Sequence, residues 1–329
     1  ILKKTIFNPA VLVAIIITIM IINFSFKSLN SSSNFLLYPC SVPTPVMSKR
    51  IISIFLIITV LFTLVSCGGI FEEPTTEPVT ESTTQVPTVT VTIPEGYTLV
   101  RISWLLEEKG LCTSEEFIEA CQTYYNWLDV TQYPFLDDLL DKENLCIDLE
   151  GYFFPLTYDI PETASVYDII KMFLNGTKQK FDDTFMMMVN ESGYSLHEIL
   201  TLASIIEKEA KLDEQRYMIS SVIHNRLNAG MQIQCDPTIK YCNGVIKVIY
   251  PEQYEYYSSY YDTYQCKGLM AGRICSPGMM SIDAALAPED TNYLYFIVGT
   301  VPPYEAKYSE TFSEHKAFWN ANKDRLTGN

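Results

Sequence analysis

Ser195-Leu-His-Glu-Ile-Leu-Thr-Leu-Ala-Ser-Ile-Ile-Glu-Lys-Glu-Ala210 is the stretch on which the reading of this chain turns. Ser195 and Glu198 stand at capping-box spacing, where each side chain answers a first-turn backbone N–H that has no helical partner. The spacing predicts a helix over 195–210. At about 100° per residue, Leu196, Ile199, Leu200, Ala203, Ile206, Glu207 and Ala210 share one broad stripe, with His197, Thr201, Ser204 and Lys208 opposite. That arrangement puts a carboxyl on the buried side. Burial disfavours the charged form of a carboxyl, which is the condition for an acid that must carry a proton near neutral pH. Periodicity does not choose between Glu207 and Glu209, because Glu209 lies close to Leu202 and Ile205 on the far flank of the same arc. A Glu at the rim of an apolar stripe is also a common surface residue.

Around this helix the sequence has a specific pattern. Leu-Ala-Ser-Ile-Ile-Glu-Lys-Glu-Ala (202–210) is followed by Val222-Ile-His-Asn-Arg-Leu227, then Gly230-Met-Gln-Ile-Gln-Cys-Asp-Pro-Thr238 and Tyr241. Upstream stands Leu149-Glu-Gly-Tyr-Phe-Phe-Pro155. Downstream come Tyr261-Asp-Thr-Tyr264, Gly268-Leu269, Ser276-Pro-Gly278, Ala284-Ala-Leu-Ala-Pro288, Tyr293-Leu-Tyr-Phe296 and Glu314-His315. In this order the blocks resemble the YceG-like (MltG) family of endolytic murein transglycosylases, from about Ile93 to the C-terminus.

The resemblance implies an α+β fold: a small LysM-like module over 93–148, then a mixed α/β catalytic domain over 149–329 with a central helix carrying the acid. It places the acid on the first Glu of Ile-Glu-Lys-Glu, Glu207. The implied reaction is lytic cleavage of the β-1,4 bond between N-acetylmuramic acid and N-acetylglucosamine, leaving 1,6-anhydro ends and terminating nascent strands. Such an enzyme is a carbon–oxygen lyase acting on polysaccharide. Substrate contacts are expected from Glu150, Asn225, Arg226, Gln234, Asp236, Thr238, Tyr241, Thr263 and Tyr264. Glu150 reads equally as a second carboxylate or as the partner of a buried Arg such as Arg226. Asp236-Pro-Thr238 also makes a good turn or helix cap. The dense tyrosines over 250–264 suit the wall of a glycan groove, or a low-complexity surface.

The chain departs from the family pattern at Asp262, where Asn is usual, and at Met270, Ala271 and Arg273, where prolines are usual. Those changes bear on the rigidity and sugar preference of that loop. Two other classes stay open: glycoside hydrolysis with Glu150 or Asp236 as the second carboxylate, and a non-catalytic glycan-binding scaffold.

Targeting reads from the N-terminus. Met47-Ser-Lys-Arg50, the apolar run 51–65 and Leu64-Val-Ser-Cys67-Gly read as a lipoprotein signal with Cys67 as the lipidated residue; a transmembrane anchor is the alternative. Met47 is the expected start, with 1–46 an untranslated upstream segment. Residues 67–92, rich in Thr, Pro and Glu, read as a tether that holds an extracytoplasmic domain off the membrane. The first 66 residues hold Lys3, Lys4, Lys27, Lys49 and Arg50 and no acid, so 18 basic residues face 39 acidic ones in the rest. Such a chain repels nucleic acid. The expected partners are peptidoglycan strands and the membrane, with peptidoglycan synthases implied by the resemblance alone.

No cofactor and no metal are expected. There is no Cys-x-x-Cys, and His197, His224 and His315 are far apart in sequence. Outside the cytoplasm, the cysteines beyond Cys67 read as pairs 112–121, 235–242 and 266–275 with Cys146 left over, although sequence does not fix connectivity.

Overall fold

The computed structural model describes residues 86–139 and 142–328, all within one compact unit that begins at Ser82. The expectations for 1–46, for the signal, for Cys67 and for most of the tether lie outside these residues. No helix among the described residues is long and apolar enough to cross a membrane.

The N-terminal module is closed by a pairing that local sequence does not announce. Strand β1 (Thr88–Thr92) runs antiparallel to β2 (Thr157–Pro161), with Thr88 opposite Pro161 and Thr92 opposite Thr157. Folded structure therefore starts inside the stretch read as tether, and the module reaches past residue 149. Between the strands lie α1 (Leu99–Glu108) and α2 (Ser114–Gln122), each with a Thr N-cap, Thr98 and Thr113. Leu99, Ile102 and Leu106 of α1 are fully buried, together with Phe117 of α2. At ~1.5–3 kcal/mol per fully buried large apolar side chain, these contacts dominate the module's stability.

Helices α3 (Val166–Lys180) and α4 (Asp183–Ser192) lead into α5 (Leu196–Glu209). The capping box read from sequence is present at Ser195 and Glu198. Helix α6 (Arg216–Asn228) follows, then α7 (Asp236–Tyr241), α8 (Tyr254–Tyr261) and α9 (Met279–Leu286). Hairpin β3 (Tyr295–Val298) and β4 (Ala306–Ser309) and helix α10 (Phe312–Thr327) complete the fold. The architecture is α+β, as read from sequence.

Helix α5 is not amphipathic in its setting. His197, Thr201 and Ser204, on the side opposite the apolar stripe, are buried as well. Each polar group there is satisfied: Thr201 Oγ1 donates to His197 O (2.7 Å), Ser204 Oγ donates to Thr201 O (2.8 Å), and Ile274 N donates to Ser204 Oγ (3.1 Å). A helix buried all round is a core helix. Its second face is covered by the loop over 268–276, through Ala271 O on His197 and Ile274 N on Ser204.

Arg273 organises that loop. Its side chain is 0% exposed, with Nε donating to Glu150 O (2.7 Å) and the other nitrogens engaging Asp148 O and His197 Nδ1. The guanidinium also sits 4.4 Å from the centre of the Tyr152 ring. His197 is pushed down to about 3, by burial first and by the Arg273 charge second. It therefore stays neutral, accepting at Nδ1 and donating from Nε2 to Ala271 O (2.7 Å).

Gly151 makes this approach possible. Its φ is +78°, and a Cβ there would lie 2.7 Å from Arg273 Cβ and 2.9 Å from Cys275 O. Gly151→Ala is expected to destabilise the fold by about 2–4 kcal/mol, left-handed backbone cost and overpacking together. Urea unfolding checks this; an unchanged midpoint would mean that the loop gives way freely.

The expected cysteine pairs do not form. Cys112, Cys121, Cys146, Cys235, Cys242, Cys266 and Cys275 are all free thiols, and five of the seven are buried. They pack as small apolar groups rather than as staples. The tyrosine-rich stretch likewise serves packing more than a groove. Tyr261 is fully buried and stacks on Tyr241 with ring centres 5.5 Å apart, while Tyr256 and Tyr260 lie exposed.

Candidate active site

The two carboxylates that periodicity leaves unresolved have different surroundings. Glu207 is saturated. Its Oε2 accepts from Ser281 Oγ (2.7 Å) and Gly278 N (3.2 Å), and Oε1 lies 3.6 Å from Arg216 Nη2. Arg216 in turn donates from Nε to Ser281 Oγ (2.9 Å) and pairs with Asp213. The Glu207 side chain is 8% exposed, so this is a buried ion pair. Glu95, on the turn before α1, fits against Gly278 where a Cβ would collide with it. Burial first, and the neighbouring Glu207 charge second, raise the Glu95 carboxyl. The group is built to fasten α5 to α6, α9 and the N-terminal module.

Glu209 is the last residue of α5 and opens onto a separate cavity of about 480 Å³. Its carboxyl is pushed up to about 7, by burial above all; the Cys235 thiol hydrogen bond opposes the rise and the neighbouring Asp236 charge adds to it. A helix C-terminus carries partial negative charge, which also favours the neutral acid. Of the expected substrate contacts, Arg226, Gln234, Asp236 and Tyr264 line the same cavity. Tyr264 Oη donates to Asp236 Oδ1 (2.8 Å), and Arg226 Nη2 donates to Gln234 Oε1 (2.7 Å).

The cavity is aromatic on its far wall. Arg226 lies 5.3 Å from the centre of the Tyr295 ring, its Nε buried without a hydrogen-bond partner among the described residues. Burial lowers the affinity of that guanidinium for its proton. Phe312, His315 and Trp319 of α10 close the space. His315 is pushed down by burial first and by Arg226 second, which favours its neutral form.

The remaining expected contacts lie outside this cavity; most of them hold the scaffold. Thr263 Oγ1 accepts from Cys235 N (2.8 Å) and lies 3.0 Å from Thr238 Oγ1, both threonines fully buried. They fix the bend at Gln234, whose φ is +58°. Asn225 Nδ2 donates to Thr291 O (2.7 Å) and Tyr293 O (3.0 Å), which anchors the approach to β3. Glu150, 1% exposed, caps α1 by accepting from Leu99 N (2.9 Å), and accepts from Tyr241 Oη (3.2 Å). Its buried cationic neighbour is Arg273, not Arg226. Asp236-Pro-Thr238 opens a helix, so the cap reading holds for it alongside its place in the cavity.

Sequence reasoning does not single out Cys235, Tyr295, Phe312 or Trp319 as site residues. Tyr295 and Cys235 each sit in a block quoted for the resemblance, and those blocks are the available signal; Phe312 and Trp319 lie in none.

The profile of the YceG-like family matches residues 72–321, and the chain belongs to that family. It is 35% identical over 233 residues to a Bacillus subtilis protein named endolytic murein transglycosylase, covering 68% of this chain and 62% of that protein. A Streptococcus pneumoniae protein of the same name is 30% identical over 240 residues, 69% of this chain and 43% of the relative. The chain thus spans less than two thirds of the length of these relatives. A crystal structure of a Listeria monocytogenes protein described as YceG-like superposes with a TM-score of 0.61 at 31% identity, covering 70% of this chain and 75% of that one.

Proposed function

We propose that this chain is a lytic transglycosylase acting within murein strands, and that its acid is Glu209 rather than Glu207. The observation that carries the reading is the Glu209 carboxyl itself: raised to about 7, at a helix C-terminus, on a cavity shared with Arg226, Gln234, Asp236, Tyr264 and an aromatic wall. Glu207 is instead held by Ser281, Gly278 and Arg216, contacts that tie it to other elements of the fold.

The chemistry follows from one protonated carboxyl. Glu209 O–H donates its proton to the bridging oxygen as the muramyl C1–O bond breaks, and the leaving N-acetylglucosamine takes that proton. The resulting Glu209 carboxylate accepts the proton of the muramyl 6-hydroxyl while O6 closes onto C1. The product is a 1,6-anhydro end, no water is consumed, and the acid is restored. The nucleophile is already tethered to the substrate, so a second protein carboxylate is unnecessary. Arg226 and Gln234 supply donors and an acceptor for acetamido and hydroxyl groups, and Tyr295 and Trp319 supply faces for sugar rings.

Activity should follow the protonated form of Glu209. With its carboxyl raised, kcat/KM is expected to be level just below about pH 7 and to fall about tenfold per unit above it. A pH–rate profile of anhydro-end release tests this. A break near the ordinary carboxyl range of about 4.3 would remove Glu209 from the role.

Hydrolysis is the second reading, favoured by the proximity of Asp236 to Glu209. Glu150, capping α1 and absent from the lining of the Glu209 cavity, offers it nothing. Mass spectrometry of the cut ends separates the two: anhydro ends for lysis, reducing ends for hydrolysis. A third outcome, no cutting with strand binding intact, would return the chain to the scaffold class. Membrane anchoring, action on nascent strands and work beside peptidoglycan synthases complete the proposal; they rest on the N-terminal sequence and on family resemblance.

A further inference from the structure

A second groove, about 580 Å³, lies on the other side of the α5 terminus. Glu209 faces the cavity described above, while Glu207, Lys208, Ala210 and Lys211 line this groove. Helix α7 divides in the same way, with Asp236 on the cavity and Pro237, Lys240 and Tyr241 on the groove. The opposite wall is Thr98, Val100, Arg101 and Trp104 of the N-terminal module. Lys208 of the groove and Glu209 of the cavity are consecutive residues, with Cα atoms about 3.8 Å apart, so the two spaces flank the same turn at the end of α5.

The charge of this groove is opposite to that of the chain. The chain carries a formal net charge of −16, yet Arg101, Lys208, Lys211 and Lys240 converge here. None of the four forms an ion pair among the described residues, where the pairs are those of Arg216 and Arg325. Lys208 Nζ donates to Gly96 O (3.1 Å) and Arg101 lies over the Tyr97 ring, contacts that leave the positive charge unneutralised. The lone carboxylate on the wall, Glu207, is committed to Arg216. Four unpaired cations focused in one concavity repel one another and concentrate anions. Trp104, 53% exposed at the rim, adds a flat apolar face.

We infer that this groove seats the carboxylate-bearing peptide arm of a murein strand whose sugars occupy the Glu209 cavity. The inference rests on the transglycosylase reading, since murein is the glycan that carries anionic peptide arms. Lysines and an arginine at hydrogen-bond reach suit carboxylates spread along a flexible peptide. The N-terminal module then contributes a wall to substrate recognition through Arg101 and Trp104. Strands with arms should be preferred over bare strands.

The test uses a disaccharide of N-acetylglucosamine and N-acetylmuramic acid, with and without its peptide arm. Neither form contains the bond that would be cut. Titrations followed by tryptophan fluorescence or calorimetry are run on the parent and on Lys211→Gln/Lys240→Gln, with cutting of intact murein assayed in parallel. The arm-bearing form is expected to bind the parent about tenfold more tightly, a preference lost in the double variant and in half-molar salt. Equal binding of the two forms, no binding of either up to millimolar concentration, or a preference untouched by the double variant would overturn the inference. Inorganic pyrophosphate binding more tightly than the arm-bearing disaccharide would overturn it too, by reassigning the groove to phosphate. Failure of the parent to cut murein would instead sink the transglycosylase reading, while the titration still reports on the groove.

Discussion

Glu209→Gln is expected to lower the rate of anhydro-end release by roughly 10²–10⁴-fold, the range over which positioned acid–base groups act. The substituted amide keeps the volume and an N–H donor but has no transferable proton. Because the folded protein already favours the neutral carboxyl, Gln should leave the thermal midpoint nearly unchanged below pH 7. Glu207→Gln should show the reverse pattern. It removes the negative half of a buried ion pair and leaves Arg216 with a weaker partner, a loss on the order of 3 kcal/mol in stability. Any loss of rate should follow the loss of folded protein. Measuring rate and melting on both variants decides the matter: if Glu207→Gln abolishes cutting at full stability while Glu209→Gln keeps it, the acid is Glu207 and the groove, not the cavity, is the catalytic cleft.

Arg273→Met should be the most destabilising single change in the loop over 268–276, on the order of 3–5 kcal/mol. The methionine fills much of the space but donates to nothing. Asp148 O, Glu150 O and His197 Nδ1 would each lose a donor inside the core, and each unmet group costs about 1–3 kcal/mol. Denaturant unfolding measures the loss. A second readout is His197: with the cation gone, the second-largest of the causes that hold it down disappears, so its titration should move upward. Following its ring resonances by NMR checks this. A variant as stable as the parent would show that the loop has another anchor.

That loop shows where sequence reading stops. Met270, Ala271 and Arg273, where the resemblance leads one to expect prolines, suggest a looser loop, because proline restricts the backbone. In the fold the loop is tied by Arg273 to Asp148, Glu150, His197 and Tyr152, residues distant in sequence. A charged residue in a surface-like stretch gives no sign of burial until its partners are assembled. The same holds for His197, Thr201 and Ser204, polar by pattern and buried by packing.

The sequence by itself determined the start and length of α5, the mixed α+β character and the family, because caps, periodicity and ordered motif blocks are local properties. It also marked part of the polar wall in advance: Arg226, Gln234, Asp236 and Tyr264, four of the nine expected contacts, lie together on the cavity. The tertiary structure alone decided which of two carboxyls two residues apart shares a cavity with Arg226 and Asp236, and which lies on the other groove in an ion pair with Arg216. A helical stripe assigns direction relative to a core; the partner across that stripe, Arg216 with Ser281 for Glu207 and Cys235 with Asp236 for Glu209, comes from other elements. Proton affinity is set by those partners and by burial, and both exist only once the chain is folded.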